Sequence, residues 1–315
     1  MKKSLLALAV LTAATGVAQA ASSVTLYGKV EAAYQNKGHD SKSVMQDSGG
    51  ESRLGFKGRE DLGNGMAAFF QLEAQVAADT GALNNTDGMF NEKSLVGLSF
   101  ANDTHKIYFG RSASPIDRIG FSTDHLSSGL GWKSSAGNWQ NAAFYDYSSN
   151  GFSVAAGVTT KGGLAGNTTE GTKGTKAAYG LSAKYEASNW ALAAGYQKDN
   201  STVKSEWGVG GKYTFNPVTV ALSYADAKLA TNAKERRYHA TISAALTSND
   251  TLFANYLKDK TKLAGASIAN KTHFGLGYIH ALSKRTELFA NVGREKDSVT
   301  STKATNWDVG MRHSF

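Results

Sequence analysis

The sequence predicts an all-β chain, a transmembrane antiparallel β-barrel of about sixteen strands. Three observations carry that reading. Apolar and polar residues alternate with period two along most of the chain. The alternating segments mostly run about ten to twelve residues. The connections between them alternate short and long.

The first twenty residues stand apart. Met1-Lys2-Lys3 is a positive start, Leu5 to Val17 is a short apolar run, and Ala18-Gln19-Ala20 is a small-x-small cleavage site. These are the parts of a secretory signal. Residues 1–20 are therefore read as a signal peptide and 21–315 as one barrel domain. The chain has no Cys, so an exported protein of this kind has no disulfide framework to hold it. A large hydrogen-bonded sheet is the alternative.

The strands follow in order. Residues 23–34 set Val24, Leu26 and Val30 on one face and Thr25, Lys29 and Glu31 on the other. Residues 52–60 set Leu54 and Phe56 against Arg53, Lys57 and Arg59. Residues 65–77 repeat the pattern with Phe70 and Leu72 against Gln71 and Glu73. Further segments fall at 90–100, 105–111, 140–149, 151–160, 175–187, 189–198 and 204–215. The rest fall at 217–227, 236–247, 250–260, 271–281, 284–294 and 304–315. Tilted strands of ~9–11 residues span a bilayer, whereas strands of soluble sandwiches are usually nearer 5–6.

Short connections fall at Asp61-Leu62-Gly63-Asn64, Asn102-Asp103, Asn150, Ser188, Asn216, Ser248-Asn249 and Leu282-Ser283, all built on turn-forming residues. Long ones are expected at 35–51, 78–89, 112–139, 161–174, 199–203, 228–235, 261–270 and 295–303. Outer-membrane barrels sort their connections this way, with short periplasmic turns and longer extracellular loops. Aromatics recur near strand ends, as at Tyr34, Phe100, Tyr185, Trp190, Phe215, Tyr224, Trp307 and Phe315, where such barrels carry interfacial girdles. In hydrocarbon every backbone polar group needs a partner, so the sheet must close. About sixteen strands then enclose water rather than a packed core.

The motifs go further. Ser23-Val24-Thr25-Leu26-Tyr27-Gly28, the run from Ser52 to Gly65, Phe70-Gln71-Leu72-Glu73, Asp79-Thr80-Gly81, Val96-Gly97-Leu98, Phe109-Gly110-Arg111 with Pro115, and the terminal Gly310-Met311-Arg312-His313-Ser314-Phe315 occur in one order. Together they resemble the neisserial-type trimeric general porins of beta-proteobacteria over nearly the whole chain. One position departs: Phe90-Asn91-Glu92 stands where members commonly have Phe-x-Arg, which reverses a charge. The resemblance implies a homotrimer in the outer membrane, in contact with membrane lipid and lipopolysaccharide. It implies passive diffusion of ions and small hydrophilic solutes. It also implies a terminal Phe315 read by the barrel-assembly machinery, and a third extracellular loop, 112–139, folded into the lumen as its constriction.

Selectivity then comes from lumen width and opposing charges. Period two points Lys29 and Glu31 of the first strand, and Arg53, Lys57 and Arg59 of the second, into the lumen. The loop contributes Asp117, Arg118, Asp124 and Lys133. Strict parity sends Arg111 outward with Phe109, whereas the resemblance implies a lumen position, which requires a bulge or bend there. A net charge of +8, less Lys2 and Lys3 of the signal, leaves +6, and a basic lumen favouring anions is the natural use of it. Other classes fit poorly. The seven His show no nucleophile–base motif for a barrel enzyme, and a soluble β adhesin has no reason to sort its loops. No metal spacing or phosphate loop suggests a cofactor, and no basic cluster with interleaved aromatics suggests nucleic acid.

Overall fold

The computed structural model describes residues 23–36, 38, 44–46, 52–83, 88–119, 137–160, 177–198 and 203–315. The expected signal peptide lies outside them. The described strands of the first half are β1 (Ser23–Asn36), β2 (Val44–Gln46), β3 (Arg53–Gly63), β4 (Met66–Gln75), β5 (Lys93–Phe100), β6 (His105–Ala113), β7 (Asn138–Ser149), β8 (Phe152–Thr159) and β9 (Tyr179–Glu186). The second half adds β10 (Trp190–Lys198), β11 (Val203–Phe215), β12 (Val218–Leu229), β13 (Lys234–Ala245), β14 (Asp250–Leu263), β15 (Ala266–Ala281), β16 (Thr286–Asp297) and β17 (Thr302–Ser314).

From β3 onward each strand pairs antiparallel with the next, β3 pairs with β1 and β1 with β17, so the sheet closes. The three residues of β2 pair with Ala33–Gln35 of β1, and β3 pairs with Ser23–Lys29 of the same strand. The two act as one interrupted stave, and the barrel has sixteen. Closure continues to the last residue: the amides of Gly28 and Phe315 each donate to the other's carbonyl, at 3.1 and 3.0 Å. A Cβ on Gly28 would collide with the Phe315 ring, so glycine lets the terminal aromatic lie flat on the outer wall.

The pleat turns every alternation into an inside and an outside. Val24, Leu26, Val30, Phe56, Val96, Leu98, Leu192, Leu222, Leu276 and Val309 stand exposed on the outer surface. Glu31, Gln35, Glu73, Ser99, Ser182, Gln197 and Glu206 are buried on the inner one. Tyr34 meets Trp307, Tyr185 meets Trp190, and Trp207, Tyr224 and Tyr238 form a run of neighbouring rings on the outer face. From Tyr238 down to Leu246 is about 26 Å of strand, or about 20 Å of height at the usual tilt, the order of the ~25 Å apolar band of such barrels.

One expectation is corrected. The segments 228–235, 261–270 and 295–303 are not long loops. β12 to β17 extend through most of them, and Ala264-Gly265 alone joins β14 to β15, at φ of +50° and +86°. Their polar residues belong to strands that rise above the apolar band. Asn64-Gly65 and Asn150-Gly151 turn the same way at the opposite end, each with both residues at positive φ.

Candidate functional site: the lumen wall and its loop

The inner wall of β1 and β3 carries a ladder of cations. Lys29 lies directly across from Arg53, and Thr25 across from Lys57; Arg59 stands opposite Ser23 near the strand ends. Lys57 sits 5.1 Å over the Tyr27 ring, and the Tyr27 hydroxyl donates to Glu73 at 2.7 Å. Arg59 does not sit with the others. It bonds Ser99 and, at 2.9 Å, Asp103 in the turn between β5 and β6, at the mouth that holds the termini. It is a vestibule charge, six residues below Arg53. The Asp103 carboxyl is held below its ordinary range by its hydrogen bond with Ser99 and then by the nearby Arg59 and Lys106 charges.

Glu92, the position that departs from the pattern, closes on this ladder. Its carboxylate lies 3.7 Å from the Arg53 guanidinium and accepts from the Asn138 amide at 3.3 Å. Where an arginine would add to the cationic wall, Glu92 offsets one of its charges.

The loop after β6 turns inward at once. Ser114 and Pro115 lead into a short 3-10 helix, Ile116–Ile119. The Ser182 hydroxyl of β9 donates to the Pro115 carbonyl at 2.7 Å. Ile116 is fully buried against Ala193 of β10 and Ala225 of β12. Gly157 and Gly180 leave the room Pro115 fills: a Cβ on either would stand 3.2 or 3.3 Å from its ring. In a ring of sixteen staves, β9 and β10 stand seven and eight steps from β1. The helix carrying Asp117 is thus packed on the wall facing the Lys29, Arg53 and Lys57 ladder.

Arg118 pins the loop back to the wall it leaves. Its guanidinium donates to Asp146 of β7 at 2.6 Å and to the Ala113 carbonyl at 3.0 Å. It also lies 4.7 Å over the Phe144 ring and 5.4 Å over that of Tyr108. With Trp139 and Leu95 these rings form an apolar shelf inside the lumen. The sequence offered no sign of Asp146 as the partner of Arg118. Asp124 and Lys133 lie outside the described residues.

Arg111 sits at an irregularity of the ladder. A bulge exists where it was expected, because the β6–β7 register shifts between Gly110 and Ser112. Its extra residue is on β7, where Gln140 and Asn141 face the single Arg111, and Asn141 takes a φ of +51°. Gly110, immediately before Arg111, takes a φ of +123°, so plain alternation along β6 does not assign a face to Arg111. Arg111 donates to the Asn91 carbonyl at 2.5 Å and to Gln140 at 3.1 Å, and the same carbonyl accepts from Asn138, whose amide also reaches Glu92. It ties β6 to the segment before β5, beside the contact of Glu92 with Arg53.

The seam is locked from inside. Arg312 of β17 donates to the fully buried Glu31 of β1 at 2.6 Å and to Glu287 of β16 at 2.8 Å, its cross-strand partners. Arg237, Glu235 and Asp259 form a similar inner cluster on β13 and β14.

A closed sixteen-stave barrel with an apolar outer band, a charged inner wall and an inward loop is a water-filled outer-membrane channel. The model of the Gram-negative porin family matches residues 7–300, and the chain belongs to that family. Outer membrane porin protein 32 of Delftia acidovorans is 31% identical over the full length of both chains. The major outer membrane protein P.IB of Neisseria gonorrhoeae is 42% identical over 138 residues, 41% of this chain and 37% of that protein. Among solved structures, an anion-selective porin from Comamonas acidovorans superposes with a TM-score of 0.74 at 24% identity, covering 93% of this chain and all of that one. The trimer form of OmpT, an outer membrane protein of Vibrio cholerae, gives 0.72 at 17% identity, covering 94% of this chain and all of that one.

Proposed function

We propose that the channel has a modest anion preference, set by the ladder Lys29, Arg53 and Lys57 facing the loop that carries Asp117. The carrying observation is the one-sidedness: these cations share one inner wall, and the loop helix is packed half a ring away. Charges of opposite sign across the narrowest part order water along one direction and admit small polar solutes over apolar ones. The description of the Comamonas structure as anion-selective supports the same sign.

The mature protein in this reading is a homotrimer of residues 21–315, exported by the segment 1–20 and assembled through its terminal Phe315. The trimer form among the solved relatives supports the assembly state. Neutralising Arg53 and Lys57 together, as Arg53→Gln with Lys57→Gln, should shift the reversal potential in a planar bilayer towards cations under a salt gradient. An unchanged potential would refute the ladder as the source of selectivity.

A further inference from the structure

The second half of the barrel carries a dense group of cations on its outer face, where a lumen function has no use for them. Lys228 of β12, Lys234 of β13 and Lys262 of β14 stand in one cross-strand row. Arg236 and Lys260 form the next row down, and Tyr238 and Lys258 the row below that. All have the parity of Leu222, Tyr238, Ile242 and Tyr256, which are exposed on the lipid side. The inner residues of the same strands, Glu235, Arg237 and Asp259, are paired with one another.

The outer group lacks that compensation. Six cations face one carboxylate, Asp226, which Arg236 holds at 3.0 Å. Among the described residues, Lys228, Lys234, Lys258, Lys260 and Lys262 make no ion pair. Like charges directly opposite on neighbouring strands destabilise a sheet, so the rows Lys228–Lys234–Lys262 and Arg236–Lys260 carry a cost in the isolated chain. The level of the group identifies what removes it. The rows begin beside Tyr238 and continue two and four residues beyond it, about 7 and 13 Å further along the strand. They therefore rise from the aromatic belt to the headgroup level, at the end away from the termini. Lys234, Arg236, Tyr238, Lys260, Lys262 and Asn232 line a surface cavity of about 540 Å³ there.

We propose that this face is a binding site for the phosphorylated sugar headgroup of the outer-leaflet glycolipid, with the phosphates set among Lys234, Arg236, Lys260 and Lys262 and the acyl chains on Leu222, Ile242 and Leu252. It rests on the outer-membrane location of the barrel and not on the pore's selectivity. An anion between the rows turns like-charge repulsion into charge-assisted hydrogen bonding, and a fixed glycolipid of that kind strengthens this wall.

The test uses the intact, folded protein in detergent with purified rough lipopolysaccharide as the probe, bound glycolipid being counted by native mass spectrometry. The variant K234Q/R236Q/K260Q/K262Q should hold glycolipid at least about tenfold more weakly than the parent, each basic residue contributing up to ~1 kcal/mol, and a fourfold rise in salt should weaken the parent much more than the variant. Lipopolysaccharide stripped of its phosphates should bind the parent as weakly as the intact form binds the variant. A control, K284Q/R285Q in the turn at the opposite end, should bind like the parent. Equal binding by the parent and the fourfold variant, or equal binding of phosphorylated and stripped forms, would overturn the assignment. Channel conductance, measured separately, reports on the porin reading, and its loss would not mimic either result.

Discussion

Replacing Glu92 by Gln should raise the anion preference of the pore. The carboxylate lies 3.7 Å from Arg53, and each of the two side chains is 23% exposed, so the pair is a partly solvated dipole on the lumen wall. Gln keeps the shape and can still accept from Asn138. One unit charge acting through water on an ion ~7 Å away contributes ~0.6 kcal/mol. With a screening length of ~10 Å at 0.1 M salt, about half of that survives, ~0.3 kcal/mol. Removal of the charge favours an anion and disfavours a cation by that amount each, so the permeability ratio should rise about 2.5- to 3-fold at 0.1 M. At 1 M, with a screening length of ~3 Å, the change should fall to roughly 1.2-fold. The assay is the reversal potential across a planar bilayer at both salt levels. Adding Arg53→Gln to the Glu92→Gln protein should return the ratio close to that of the parent, because the local net charge is then restored. A ratio that does not move at 0.1 M, or one that moves equally at 1 M, would refute the argument that Glu92 offsets Arg53 in the field of the pore.

Other perturbations separate anchoring from selectivity. Arg118→Gln removes the bond to Asp146 and the stacking on Phe144 and Tyr108, about 2–4 kcal/mol of loop anchoring; single-channel current noise should increase, and a record as quiet as the parent's would count against the anchor. Arg312→Met strands Glu31, which is fully buried, and should cost about 3–5 kcal/mol. The temperature at which the folded band converts on a gel should drop, whereas pairing the change with Glu31→Leu should recover most of the loss. Asp103 titrates below its ordinary range, so its contribution to stability is present above the unfolded carboxylate value and is lost as pH falls through the lower folded value. In Asp103→Asn the dependence of the unfolding midpoint on acid below the usual carboxylate range should be shallower; an identical slope would show that the contact with Ser99 and Arg59 does not couple to folding.

The barrel was legible because its governing physics is local. A pleated strand between lipid and water must alternate, and Leu54, Phe56, Lys57 and Arg59 announce both faces of β3 at once. Each of the sixteen segments read from that alternation has a strand. The second-half loops were misread for the same reason. Above the apolar band the outer face is wet, so Lys234, Arg236, Lys260 and Lys262 replace the apolar half of the pattern although the backbone ladder continues. Alternation reports the hydrocarbon, not the hydrogen bonds. The site was legible only in part. The ladder follows from parity, but the grip of Asp146 on Arg118 and of Glu92 on Arg53 joins residues 28 and 39 positions apart, which no periodicity relates. At Arg111 the bulge was foreseen, but which strand carries its extra residue depends on the pairing register, which no local pattern reports.

The placement of charge also changes what the net balance means. The chain beyond residue 20 carries +6. The outer group, six cations and Asp226, holds +5 of it on the lipid side of the wall. The rest of the protein is then close to neutral, so under the proposed ladder it is the position of the lumen charges, not the total, that sets selectivity. That separates two accounts of anion preference. If the total charge set it, K234Q/R236Q/K260Q/K262Q, which removes four positive charges, should push the reversal potential strongly towards cations. If the ladder sets it, the same variant should leave the potential unchanged at 0.1 M, because the outer rows lie beyond the wall and about a screening length or more from the axis. The Arg53→Gln, Lys57→Gln protein, which removes only two charges, should then shift it further than the fourfold variant does. The reverse order would return selectivity to the bulk charge and remove the ladder from the mechanism.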